Sequence, residues 1–136
     1  MDHEITKIRK HEITPDIEFE ELSGRIINSA IEVHKKLGPG FLESIYQEAL
    51  PIQLKKDGMR VEKQKEIDIY YDNQQVGIHR LDLVIDEEII IELKTVKDFD
   101  ESHIAQVISY LKATGLKIGL LLNFSKASLQ IKRIVL

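Results

Sequence analysis

HRLDLVIDEEIIIELKTVK, residues 79–97, reads as two short apolar strands joined by an acidic turn. Asp82 stands in the first strand, and Glu92 and Lys94 stand in the second. Side chains alternate across a strand, so Glu92 and Lys94 share a face while Leu93 points the other way. The same alternation puts Arg80, Asp82 and Val84 on one face of the preceding strand. Register decides whether Asp82 meets Glu92. With a three-residue loop, Asp86 to Glu88, Ile85 pairs with Ile89 and Asp82 lies opposite Glu92; a two-residue loop throws Asp82 onto the wrong face.

Directly opposed side chains sit about 4.5–5.5 Å apart. Two carboxylates at that distance repel by about 3 kcal/mol at an effective dielectric near 20, before any desolvation. Lys94 can neutralise one charge, and a divalent cation with oxygen ligands can neutralise both while bridging to a phosphate. A lysine beside such a site is placed to orient an attacking water or to stabilise developing phosphorane charge. These are the parts needed for metal-assisted phosphodiester hydrolysis. The competing reading is an ion-pair cluster on a wet sheet face, and the aliphatic surroundings weigh against it, because uncompensated charge there is costly.

Outward from this hairpin, residues 1–20 are polar, mixed in charge and interrupted by Pro15, which predicts a loosely held arm before a domain spanning 21–136. From about Glu21 the spacing of Ile26, Ile27, Ala30, Ile31, Val33 and Leu37 predicts a helix that stops at Gly38 and Pro39. A second helix begins near Phe41 and turns Leu42, Ile45, Tyr46, Ala49 and Leu54 toward the core. Pro51 predicts a kink or an early end near Leu50. From Arg60 the period becomes two, with Val61, Ile67, Ile69 and Tyr71 on one face of a strand and a turn at residues 72–75. Asp100 to Thr114 is a third helix closed by Gly115, and residues 117–124 and 128–136 are strands. The order ααβββαββ specifies an α/β fold, a mixed sheet with helices packed on it.

The third helix carries His103, Gln106 and Tyr110 on one stripe, which is either the solvent boundary or a row of site residues. Gly40, Glu43 and Tyr46 recur at three-residue intervals, so Glu43 either presents its carboxylate beside the sheet or simply complements the helix dipole.

A chain of 136 residues suffices for one domain with a real core. Cysteine is absent, which excludes disulfides and thiolate metal sites and fits a reducing compartment. A net charge of -4 argues against a surface that grips nucleic acid all over by counterion release. No apolar run reaches the roughly 20 residues of a membrane helix, and the N-terminus lacks an apolar signal core, so the expected location is the cytoplasm, with no membrane partner.

Taken together, GPGFLESIYQEAL, HRLDLVIDEEIIIELK, HIAQVISYLKATG, IGLLLNF and IKRI resemble the GxxExxY proteins, a branch of the PD-(D/E)xK nuclease superfamily, from about Glu21 to the C-terminus. The resemblance implies a restriction-endonuclease-like core. By position it makes Asp82 the metal-binding aspartate, Glu92 and Lys94 the E-x-K pair, and the Leu93 carbonyl a further metal ligand. Glu43 matches the helix acid that helps to hold metal or water, and Gln106 and Tyr110 match helix residues lining the site. Leu81 stands where the superfamily's motif has proline.

The resulting expectation is a Mg2+- or Mn2+-dependent nuclease-like domain hydrolysing phosphodiester bonds in DNA, with Asp82, Glu92, Lys94, Glu43 and Gln106 catalytic. Arg80, Tyr110 and His103 are the candidate substrate contacts; for Arg80 the alternative is an ion pair with an acid. A catalytically inactive module of the same fold, binding nucleic acid or protein, is the rival, and a homodimer is left open.

Overall fold

A computed structural model of the chain describes residues 17–136. The arm expected at the N-terminus lies outside them up to residue 16. The elements are α1 (Ile17–Leu37), α2 (Glu43–Lys56), β1 (Val61–Tyr71), β2 (Gln74–Ile85), β3 (Ile89–Lys94), α3 (Glu101–Thr114), β4 (Ile118–Asn123) and β5 (Gln130–Val135). The α/β order ααβββαββ is the one expected, and α1 starts about a turn before its apolar stripe does.

The five strands lie in the order β1-β2-β3-β4-β5, with β3 and β4 parallel and all other neighbours antiparallel. A parallel pair needs a crossover connection. Here it is α3, capped by Asp100 at its start and by Gly115 at φ 77 past its end. Helices cover both faces of β3 and β4, which is why their apolar runs are unbroken. On one face Ile26, Ile27, Tyr46, Leu50 and Leu54 of α1 and α2 pack on Leu83, Ile91, Leu93, Leu120 and Leu122. On the other, Val107, Tyr110 and Leu111 of α3 pack on Leu81, Val84, Ile90 and Leu121. A Cβ on Gly119 would collide with Val107, so glycine there lets α3 sit close on β4.

Of the two outcomes expected at Pro51, a kink or an early end near Leu50, the early end does not occur: the helix runs through Pro51 to Lys56. Leu50, Pro51 and Leu54 are all buried, so packing outweighs the lost backbone bond. Leu42 and Ile45, expected in the core, are 76% and 42% exposed. The inner face of α2 is set instead by Tyr46, which stacks on Phe124 and donates from its hydroxyl to the Gly38 carbonyl at 2.5 Å.

The simple alternation of β1 and β2 also breaks. Val61 packs with the α1/α2 layer, yet Ile67 packs with α3. On β2, Leu83 belongs to the first layer and Leu81 to the second, although they are two residues apart. The switch falls where Gln64, at φ 50, stands across from Asp82 between the pairs Lys63↔Leu83 and Lys65↔Leu81. A left-handed residue inside a strand re-aims every side chain beyond it. Arg80 therefore does not share a face with Val84.

Valine favours ordinary strands but is strained at positive φ. Gln64→Val is accordingly expected to destabilise the fold by about 1–2 kcal/mol in urea unfolding, with Gln64→Gly at least as stable as the parent.

Candidate functional site

The hairpin between β2 and β3 has the three-residue loop, with Ile85 paired to Ile89, Val84 to Ile90 and Leu83 to Ile91. Asp86 and Glu87 adopt φ 51 and 58, and the Asp86 carboxylate accepts from the Arg60 N–H at 2.8 Å, tying the loop to the start of β1. Backbone pairing extends as far as Leu83 and Ile91, and beyond it side chains take over. The Asp82 N–H donates to Glu92 Oε1 at 3.2 Å, and the Leu93 N–H donates to Asp82 Oδ2 at 2.9 Å. Each strand thus supplies the other with a carboxylate where a carbonyl would ordinarily accept. The N–H and C=O of one strand residue face the same neighbour, so the Leu93 carbonyl is on the Asp82 side.

Glu92 is 3% exposed. Burial first, and the Asp82 charge second, push its carboxyl up to about 9. Lys94, on the same strand face, points to α3 and donates to Gln106 Oε1 at 3.1 Å. Tyr110, one turn along α3 from Gln106, has its hydroxyl raised above its usual pKa by burial first and then by Glu92 and Asp82. The His79 ring meets Tyr110 edge-on at 5.0 Å.

Glu43 enters from the opposite layer as the first residue of α2. Its Oε1 accepts from the Thr95 N–H at 3.2 Å. Gln47, one turn further along, places Nε2 at 3.4 Å from Glu43 Oε2 and 3.5 Å from Asp82 Oδ1. Neither Gln47 nor Thr95 was singled out from the sequence. For Gln47 the signal was its i,i+4 spacing from Glu43, which puts both on one helix face. For Thr95 there was none, since it contributes only a backbone donor. Asn123, fully buried at the end of β4, brackets Val96: Val96 N–H donates to its Oδ1 at 3.1 Å, and its Nδ2 donates to the Val96 carbonyl at 2.7 Å. That side chain continues the parallel pairing past Lys94 and holds Thr95 beneath Glu43.

Two candidates are engaged elsewhere. His103 Nδ1 accepts from the Asp100 N–H at 3.0 Å and completes the capping box of α3. Arg80 is exposed and bonds Glu66 at 2.8 Å, the ion-pair alternative, though with an acid of β1 and not with the site. Asp82, Glu92, Lys94, Glu43, Gln106 and Tyr110 are brought together.

A family model for the PD-(D/E)XK nuclease superfamily matches residues 20–134. The chain belongs to that superfamily. The PD-(D/E)XK chain also shares a fold with the crystal structure of SSO0001, with a TM-score of 0.56 at 22% identity, over 68% of its own residues and 48% of the other's. It thus spans about half the length of that protein. None of the curated proteins matches it. Among its described residues no group of three or more His, Cys, Asp or Glu side chains could hold a metal ion by itself. The oxygen donors near Asp82 are instead two carboxylates and a backbone carbonyl. Such oxygen donors fit the needs of a hard divalent cation.

The folded metal-free protein holds the Glu92 proton to about 9, whereas an unfolded glutamate releases it near 4.5. Folding takes up a proton between those values, so stability falls as pH rises through that window. In EDTA, Glu92→Gln is expected to be more stable than the parent by about 1–3 kcal/mol at pH 8 and to differ little at pH 5, read from urea unfolding at both.

Proposed function

We propose that this chain is a metal-dependent nuclease that hydrolyses phosphodiester bonds in DNA, and that Gly40, Glu43 and Tyr46 mark it as a member of the GxxExxY branch. The observation that carries the reading is the reciprocal exchange between Asp82 and Glu92, which presents two carboxylates side by side in the middle of a sheet with Lys94 beside them. An arrangement kept only for stability gains nothing from burying a second carboxyl beside Asp82, where it must keep its proton to avoid like charges.

Asp82, Glu92 and the Leu93 carbonyl would hold Mg2+ or Mn2+, and Glu43 would help to hold the metal or a water. The ion, when bound, neutralises charge on the phosphate and lowers the pKa of a water. Lys94 Nζ orients the attacking water or stabilises the charge that develops on the phosphorane, and Gln106 aims it from α3. Gln47 holds Glu43 and Asp82 at a fixed separation. No helix among the described residues is long and apolar enough to cross a membrane, and the lack of cysteine supports a cytoplasmic setting.

A non-catalytic module of the same fold is the second reading, favoured by one observation. Cations near the site are largely spent on neighbouring acids, as in Lys63 with Glu48 and Arg80 with Glu66, within a chain of net charge -4.

Incubation with Mg2+ or Mn2+ and linear, supercoiled, single-stranded and branched DNA separates the two. Cleavage is expected, reduced about 100-fold or more in Asp82→Ala, Glu92→Ala and Lys94→Ala that still fold. All four substrates remaining intact with the parent protein would end the nuclease reading.

A further inference from the structure

β1 and β2 continue well past the switch at Gln64 and Asp82, and this distal hairpin leaves a groove of about 480 Å³ against α3. Asp68, Ile69, Tyr70, His79, Ser109 and Lys112 line it. We propose that this groove is a subsite for one nucleotide of single-stranded DNA, next to the bond that the site cuts. The inference rests on the nuclease reading for its place in the reaction but not for its chemistry.

Three observations point to a nucleotide. The first is the pairing of an aromatic face with a cation: Tyr70 is 62% exposed, and Lys112 enters no ion pair among the described residues. Stacking on an aromatic side chain together with a cation for the backbone is the usual way single strands are held without sequence preference. The second is the arrangement of the remaining groups. On the helix wall Lys112 supplies the cation for phosphate, while the Ser109 hydroxyl beside it donates to the Gln106 carbonyl at 2.7 Å. Asp68 on the hairpin wall, held by Gln75 at 3.1 Å, is an acceptor for the exocyclic amino group of a base. Phosphate therefore goes to the helix side and base to the hairpin side.

The third is continuity with the catalytic centre. His79 lines the groove and also packs on Tyr110, which stands one turn along α3 from Gln106, the acceptor of Lys94. Along α3 the step from Gln106 to Lys112 is roughly 9 Å, at 1.5 Å per residue. The groove therefore adjoins the site along α3, around the helix from Gln106. A duplex would keep its bases stacked and away from Tyr70, so the occupant is single-stranded or unpaired at this point.

The test is fluorescence anisotropy of a short 5′-labelled single-stranded DNA in EDTA, where no cleavage interferes. Tyr70→Ala and Lys112→Ala are each expected to weaken binding about tenfold, with Tyr70→Phe close to the parent. Lys112→Ala should also reduce the slope of log K against log salt by about 0.7. Tyr71→Ala, beside the hairpin turn and outside the groove, serves as the unaffected control. All three positions are exposed, so thermal melts of the variants are expected to match the parent. No binding by the parent, or equal binding by Tyr70→Ala and Lys112→Ala, overturns the subsite. Binding that depends on Tyr70 and Lys112 without any cleavage in Mn2+ leaves the subsite standing and removes the nuclease reading. Cleavage with unaltered binding in both variants does the reverse.

Discussion

Two carboxylates, Asp82 and Glu92, lie side by side in a sheet because each accepts a backbone N–H from the other's strand. That exchange is the constraint on which the rest of the structure turns. A carbonyl at either position would simply continue the ladder; a carboxylate satisfies the donor and leaves further oxygen lone pairs free. Burial first, and repulsion from Asp82 second, appear in the raised Glu92 pKa. The surrounding scaffold must hold that unfavourable pair in place, and both layers of helices contribute to doing so.

From one layer α2 brings Glu43 and Gln47, and from the other α3 brings Gln106 and Tyr110. A flat, regularly alternating sheet would show Asp82 to only one of these layers. The left-handed Gln64 opposite Asp82 marks the point where β1 and β2 exchange faces, so the acid stands at the turn itself and is within reach of α2 while Glu92 and Lys94 face α3. The same irregularity sends the distal hairpin away from the α1/α2 layer and over α3, which creates the groove that Tyr70 and Lys112 line.

Support for the site also comes from behind. Asn123 acts as an extra rung of the β3–β4 pairing, and Tyr46 fastens the turn that starts α2. Neither touches the acids, yet Asn123 fixes the Thr95 donor for Glu43 and Tyr46 fixes the end of the helix that presents it. Of the three residues in the Gly40–Glu43–Tyr46 pattern, only Glu43 faces the site; Gly40, at φ 111, and Tyr46 shape the turn.

The order of elements was legible in residues 79–97 and their flanks, and the three-residue hairpin loop was one of two registers they allowed, because apolar periodicity and turn chemistry are local properties. So were Asp82, Glu92 and Lys94, since strand alternation and one loop length are enough to bring them together. Glu43 and Gln106 could be named but not placed, because two-sided readings of a helix acid and a polar stripe are resolved only by what packs against them. What the tertiary structure alone decided was of another kind. Pro51 stays helical because its neighbours are buried, His103 becomes a cap, Arg80 turns away to Glu66, and Gln47 and the Thr95 N–H join the site. Each depends on partners distant in the chain or on a single positive φ at Gln64, and a periodicity of two or of 3.6 carries no trace of either.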